Sequence, residues 1–234
     1  MKVAILAAGE GSRLRSEGVS VPKGLVKLNG IPLIERIIRI AEKNDASSIN
    51  CIVNEESHEL SDYIRNMQIK PDLKLVIKST SGSLQSLFEI RHLLKNDDVC
   101  LFTVDTVFDE NEFSNYLDYS KQQKEYDAVF AVTDFIDDEK PLYIKTNKNE
   151  KIIEFADKTD TPELVSGGIY YFTPKIIDLL EVCFTSGEKR LRSFQRMILE
   201  NNYSIKAYKF SKIIDIDHVS DLNKAKEFVA GKLT

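Results

Sequence analysis

The sequence has 234 residues, 42% of them hydrophobic, which suffices for one large domain or two small ones with a sizeable core. A net charge of −5 and a pI of about 5.4 exclude a global basic field for nucleic acid, so an anionic ligand must be met by local cations. No apolar run reaches the roughly 18–20 residues that span a bilayer, and KVAILAAGEGSR lacks the form of a signal peptide, so a cytoplasmic protein with no membrane partner is expected.

In chain order, KVAIL is a short apolar strand followed by a glycine-rich loop, and Leu33, Ile34, Ile37, Ile38 and Ala41 recur at helical spacing. INCIV (49–53) is a second strand, and a polar helical stretch covers about 55–67. LKLVI (73–77) is a third strand, followed by a helix marked by Leu84, Leu87, Phe88, Arg91 and Leu94. VCLFTV (99–104) is a fourth strand, apolar throughout and therefore central. Strands alternating with helices of this length imply right-handed crossovers and a mostly parallel sheet, which YDAVFAVTDF (126–135) continues. Residues 141–155 read as a polar hairpin around NKNE and 165–172 as a strand. Helices follow near 174–183 and 190–200, then strand SIKAYKF and a last helix from about 220. With no internal repeat or linker, residues 1–234 are expected to form one domain, with about 136–200 as an inserted lid on the acceptor side. Cys51, Cys100 and Cys183 have no paired spacing and read as buried, reduced thiols.

The first loop, LAAGEGSRL, falls between a strand and a helix, where glycines can bring backbone N–H groups close to a phosphate. The dinucleotide fingerprint fails, because Leu14 stands where its third glycine belongs and Asn54 where its acidic residue belongs; the P-loop G-K-[ST] is also missing. LAAGEGSRL followed by PKGLVKLNGIPLIERII resembles the signature of the sugar-phosphate nucleotidyltransferases, with Lys23 ten residues after Arg13. Two departures are Gly24, where many members carry proline, and Val104, where glycine often precedes the first aspartate.

The resemblance implies a Rossmann-like three-layer α/β/α fold with a mixed, mostly parallel sheet. It also implies Mg²⁺-dependent condensation of a nucleoside triphosphate with a phosphorylated acceptor, a sugar 1-phosphate above all. Leu6, Ala7, Ala8, Gly9, Glu10, Gly11, Ser12 and Arg13 would bind the nucleotide, together with Thr80, Ser81 and Gly82 in STSGSLQSL. A helix N-cap at Ser81 or Ser83 explains part of that segment equally well. Arg13 would grip the triphosphate, which carries roughly four negative charges, and Lys23 would neutralise the reacting phosphates. Asp105, after the fourth strand, and Asp217, in KIIDIDHVSDL, would hold Mg²⁺, with Asp215 in support. IIEFADKTD places Lys158 on the acceptor phosphate and Asp157 beside it, and Gly167 and Gly168 would admit a sugar ring or form a strand bulge.

Other residues read as structural: Asp109, Asp137 and Asp138 as loop or cap residues, Lys189, Arg190, Arg192 and Arg196 as a solvated helix face, and Tyr143, Tyr170 and Tyr171 as half-buried strand tyrosines. His58, His92 and His218 form no zinc or triad spacing. Three rivals stay open: a cytidylyltransferase acting on an alcohol phosphate such as phosphocholine, a glycosyltransferase using the literal DID at 215–217, and a catalytically silent nucleotide-binding regulator. A homo-oligomer is also left open.

Overall fold

Along the first half of the chain, strands β1 (Lys2–Ala7), β4 (Ser48–Val53), β5 (Asp72–Ile77) and β6 (Val99–Thr103) pair in the parallel order β6-β1-β4-β5. This is a computed structural model describing residues 1–184 and 187–231. Two short ribbons, β2 (Lys27–Leu28) with β3 (Ile31–Pro32) and β7 (Thr106–Phe108) with β13 (Ile213–Asp215), lie outside that sheet. The helices of this half are α1 (Ser12–Ser16), α2 (Leu33–Lys43), α3 (His58–Arg65), α4 (Ser83–Leu94) and α5 (Glu110–Gln122). The second half adds β8 (Ala128–Thr133), the β9 (Tyr143–Thr146) and β10 (Ile152–Ala156) hairpin, and β11 (Leu164–Phe172). It closes with α6 (Pro174–Phe184), α7 (Leu191–Glu200), β12 (Ile205–Lys209) and α8 (Val219–Ala230).

β11 is antiparallel to β6, β8 and β9, and β10 is antiparallel to β9, so only β10 and β11 oppose the common direction of the nine-stranded sheet. The sheet is thus mixed and mostly parallel. Of the segment 136–200, β9, β10 and β11 are all strands of this sheet, and α7 packs against β10.

Period-two alternation builds the three layers. Val3, Ile5 and Ala7 of β1 face a core shared with Ile34, Ile37 and Ile38 of α2, Leu60 and Ile64 of α3, and Phe113 and Tyr116 of α5. Ala4 and Leu6 face the opposite core, with Leu84, Leu87 and Ile90 of α4, Ile176 and Leu180 of α6, and Phe194 of α7. A third cluster joins Leu14, Val26 and Leu28 near the N-terminus to Ile214, Ile216, Leu222 and Ala225 near the C-terminus. The three cysteines are buried and unbridged, as their spacing suggests, and burial raises each thiol's pKa.

α4 departs from expectation at its start. Its N-cap is Gly82, with no side-chain cap. The Ser83 hydroxyl accepts the Leu191 N–H at 2.9 Å, and a Cβ at Gly82 would lie 2.4 Å from the Lys189 carbonyl oxygen. Ser83 and Gly82 therefore dock the entry to α7, and the space beside Gly82 is taken by protein backbone. Asp109, by contrast, is the N-cap expected of it, accepting from the Asn111 and Glu112 amides.

Candidate active site

The parallel pairing of β1 with β6 matches Leu6 to Thr103, so the glycine loop and Asp105 leave the sheet side by side at its carboxyl end. Pro22 leads into a single 3₁₀ turn, Lys23–Leu25, which carries Lys23 back towards that edge. The β7–β13 ribbon pairs Thr106 with Asp215, and the Ile216 amide donates to the Asp105 carbonyl at 3.1 Å, which brings Asp217 alongside Asp105. Lys23 Nζ donates to Asp105 Oδ2 at 2.5 Å and to Asp217 Oδ1 at 2.7 Å. Arg13 Nη1 donates to Asp217 Oδ2 at 2.6 Å. Four residues spread over 204 positions of sequence separation thus form one charge cluster.

Burial disfavours the Lys23 ammonium, yet Asp105 and Asp217 outweigh that penalty and raise its pKa above the ordinary lysine value, so it stays charged. Burial would raise the Asp105 carboxyl, but the Lys23 charge and hydrogen bond hold it below the usual range. Asp215 behaves oppositely. Burial, then the charge of Asp105, push its carboxyl up to about 7. Its Oδ1 accepts the Thr106 hydroxyl at 2.9 Å, and Thr106 in turn pairs with Thr103 at 2.6 Å. The two carboxylates of the DID sequence therefore meet different partners, Asp215 a hydroxyl and Asp217 two cations.

A cavity of about 490 Å³ lies over the cluster. Leu6, Ala8, Gly9, Glu10, Gly11, Ser12 and Arg13 line it, as do Lys23, Thr80, Ser81, Gly82, Asp105 and Asp217. Ala7 alone of the expected nucleotide contacts does not, because strand alternation turns it into the α2 core. A second cavity of about 310 Å³ shares Asp105 and Asp217 and is walled by Asp138, Ser166, Gly168, Tyr170, Arg190, Arg192, Gln195 and Asp215. Gly168 belongs to a bulge in β11, the strand irregularity expected of this pair. Its φ of +71° suits glycine, and a Cβ there would lie 2.3 Å from Thr106 Oγ1 and 2.7 Å from Thr103 Oγ1. Gly167 lines an adjoining cavity with Arg13, Asp137 and Asp138.

Lys158 and Asp157 are not brought to Asp105. They line an outer groove of about 1010 Å³, which meets the second cavity through Arg190 and Arg192. Asp157 pairs with Arg196 at 2.8 Å and with Arg192 at 3.3 Å. The solvated helix face expected of the basic cluster is thus corrected in part: Arg190 and Arg192 border the cavity that holds the carboxylates. Sequence reasoning also missed Ser166, Thr106 and Gln195. The only available signal was the i, i+3 spacing of Arg192 and Gln195, which places both on one face of α7.

The nucleotidyl transferase family model matches residues 2–232. The chain belongs to this family. It is 25% identical over 239 residues to the bifunctional protein GlmU of Methanocaldococcus jannaschii, covering 100% of this chain but 55% of the relative, so it spans about half that protein's length. It is 24% identical to the choline-phosphate cytidylyltransferase of Streptococcus pneumoniae, covering 98% of each chain. The inositol-1-phosphate CTP transferase of T. maritima has the same fold, with a TM-score of 0.81 at 22% identity over 98% of this chain and 94% of that one. Among the described residues no helix is long and apolar enough to cross a membrane.

The family implies a divalent metal, and the donor set fits Mg²⁺. Two carboxylates, Asp105 and Asp217, already converge on one cationic point, the Lys23 ammonium. Among the described residues no group of three or more His, Cys, Asp or Glu could hold a metal ion. One or two carboxylates completed by phosphate oxygens is the arrangement this ion favours.

Proposed function

We propose that this nucleotidyltransferase condenses a nucleoside triphosphate with a sugar 1-phosphate to give a nucleoside diphosphate sugar and pyrophosphate. The convergence of Arg13, Lys23, Asp105 and Asp217 under the glycine loop carries this reading. The acceptor phosphate oxygen, already ionised, attacks the α-phosphorus, and the bond from that phosphorus to the β-phosphate bridging oxygen breaks. No general base is needed. Arg13 and Lys23 exchange carboxylate oxygens for those of the triphosphate and hold the departing pyrophosphate. A cation of this kind, placed where charge develops, lowers the barrier by about 3 kcal/mol. Asp105 and Asp217 would hold Mg²⁺, which when bound neutralises phosphate charge and orients the α-phosphate. Arg190 and Arg192 receive the acceptor phosphate at the second cavity, and Lys158 lies further out in the groove.

A second reading, cytidylyl transfer to phosphocholine, is supported by the 24% identity to the streptococcal enzyme over 236 residues. A quaternary ammonium calls for aromatic faces. Tyr170 is the one aromatic residue in the described lining of the second cavity, and it is 4% exposed with its hydroxyl engaged by Ser166. Pyrophosphate release measured across the four nucleoside triphosphates, each with sugar 1-phosphates and with phosphocholine, separates the readings. Release with sugar phosphates selects the first, release with phosphocholine alone selects the second, and none with any pair removes both.

A further inference from the structure

Gln195 sits on α7, 2% exposed, and lines the second cavity. Its Oε1 is buried and has no hydrogen-bond partner among the described residues. Leaving a buried acceptor unmatched is costly, and evolution tolerates it mainly where something else supplies the donor. The Tyr170 phenol in the same wall already has a partner, pairing with Ser166 Oγ at 3.0 Å. Ser166 and Tyr170 thus satisfy each other, while Gln195 in the same lining keeps an unmet acceptor.

Resting on the acceptor-cleft reading above, we propose that Gln195 selects the acceptor: its Oε1 receives a hydroxyl of a polyhydroxylated phosphate, a sugar or cyclitol phosphate. The chemistry of the wall favours that class. Two guanidinium groups, Arg190 and Arg192, line the cavity and match a phosphate. In the same lining Ser166, Gln195 and Asp138 offer hydroxyl, amide and carboxylate groups that match alcohols. A trimethylammonium group has no N–H or O–H for Oε1 and would bury the acceptor unmet. A site built to bond a hydroxyl rejects a ligand lacking it far more strongly than an apolar pocket rejects an added one.

The test uses the full chain and the near-isosteric variant Gln195→Met, with calorimetric titration of glucose 1-phosphate, myo-inositol 1-phosphate, phosphoethanolamine and phosphocholine. The wild type is expected to bind one of the first two at least tenfold more tightly than phosphocholine, and the variant to lose most of that ratio. The melting temperature of the variant should be unchanged or higher, because a buried unmatched acceptor is removed; a merely structural glutamine would give a lower one. A preference ratio that survives in Gln195→Met overturns the proposal. So does wild-type binding of neither polyhydroxylated phosphate, or of the two amine phosphates only. Pyrophosphate release is read on the same panel. Turnover with phosphocholine alone sinks the selection by Gln195 and leaves nucleotidyl transfer standing. Tight binding of a sugar phosphate without pyrophosphate release from any triphosphate sinks the transfer and leaves the recognition standing.

Discussion

Lys23 is the residue on which the site turns, since one ammonium near the N-terminus bridges two carboxylates, Asp105 from the middle of the chain and Asp217 from near its C-terminus. Its removal has two separable effects. Lys23→Ala takes a charge from the reacting phosphates, and turnover should fall by about 100- to 1000-fold. It also leaves Asp105 and Asp217 facing one another without a counter-charge. Breaking such a partly buried pair costs about 3 kcal/mol, and urea unfolding at pH 7 reads that loss directly. Asp215 supplies a test of opposite sign. Its folded pKa of about 7 stands above the ordinary aspartate value of 3.8, so the folded form holds its proton more tightly than the unfolded chain. The stability this gives is full below about pH 4 and is lost as pH rises to about 7. Asp215→Asn, which keeps an acceptor for Thr106, should unfold at higher temperature than the wild type above pH 7 without divalent ions. The gap should close towards pH 4 in thermal melts. Arg13, Lys23, Asp105 and Asp217 were legible in sequence because motif spacing carried them. Thr106 and Gln195 were not, because their partners are far off in sequence and no local pattern announces a contact made by packing.

The PKGL turn and the end of β6 depart from the family pattern together, and the fold explains why. A Cβ at Gly24 would lie 3.0 Å from Leu60 Cδ1 and 3.5 Å from Val104 Cγ2. The space beside Gly24 is therefore occupied by Leu60 and Val104. The contact leaves little room for added volume on either side. Gly24→Pro alone should cost about 1–3 kcal/mol by overpacking, and Val104→Gly alone a similar amount by leaving a void. The double variant should cost less than the two added, with a coupling of about 1 kcal/mol in a urea double-mutant cycle. Strict additivity would show the two departures to be independent. At this scale the long elements were readable, because Leu33, Ile34, Ile37, Ile38 and Ala41 keep helical spacing and all are at most 1% exposed. The β2–β3 and β7–β13 ribbons were not, since strands of two or three residues carry no periodicity. Yet β7–β13 is what sets Asp217 beside Asp105.

Over the whole molecule, the first and last segments of the chain build one site, and the third hydrophobic cluster is what joins them. Leu14, next to Arg13, packs in that cluster with Ile214, Ile216 and Leu222, while Glu17 ties the same loop to the Val219 amide at 2.7 Å. The two large cores make the layers, as the alternation of strands and helices implied. The closing of the chain's ends on one another has no sequence signature, because it depends on α8 lying against β2 and β13. Leu14→Ala and Leu117→Ala provide matched losses. Leu14 is 2% exposed and Leu117 1% exposed, and each truncation should cost about 2–4 kcal/mol. Leu117 lies on α5 in a core cluster separate from that of Leu14, so its loss should lower the melting temperature and leave triphosphate affinity as it was. Leu14→Ala should lower the melting temperature to a similar degree and weaken triphosphate binding as well, by about tenfold, because Arg13 and Asp217 no longer share a rigid support. Calorimetric titration of a nucleoside triphosphate below both melting transitions measures the difference. Equal affinities in the two variants would mean that the glycine loop holds its cations without the C-terminal helix.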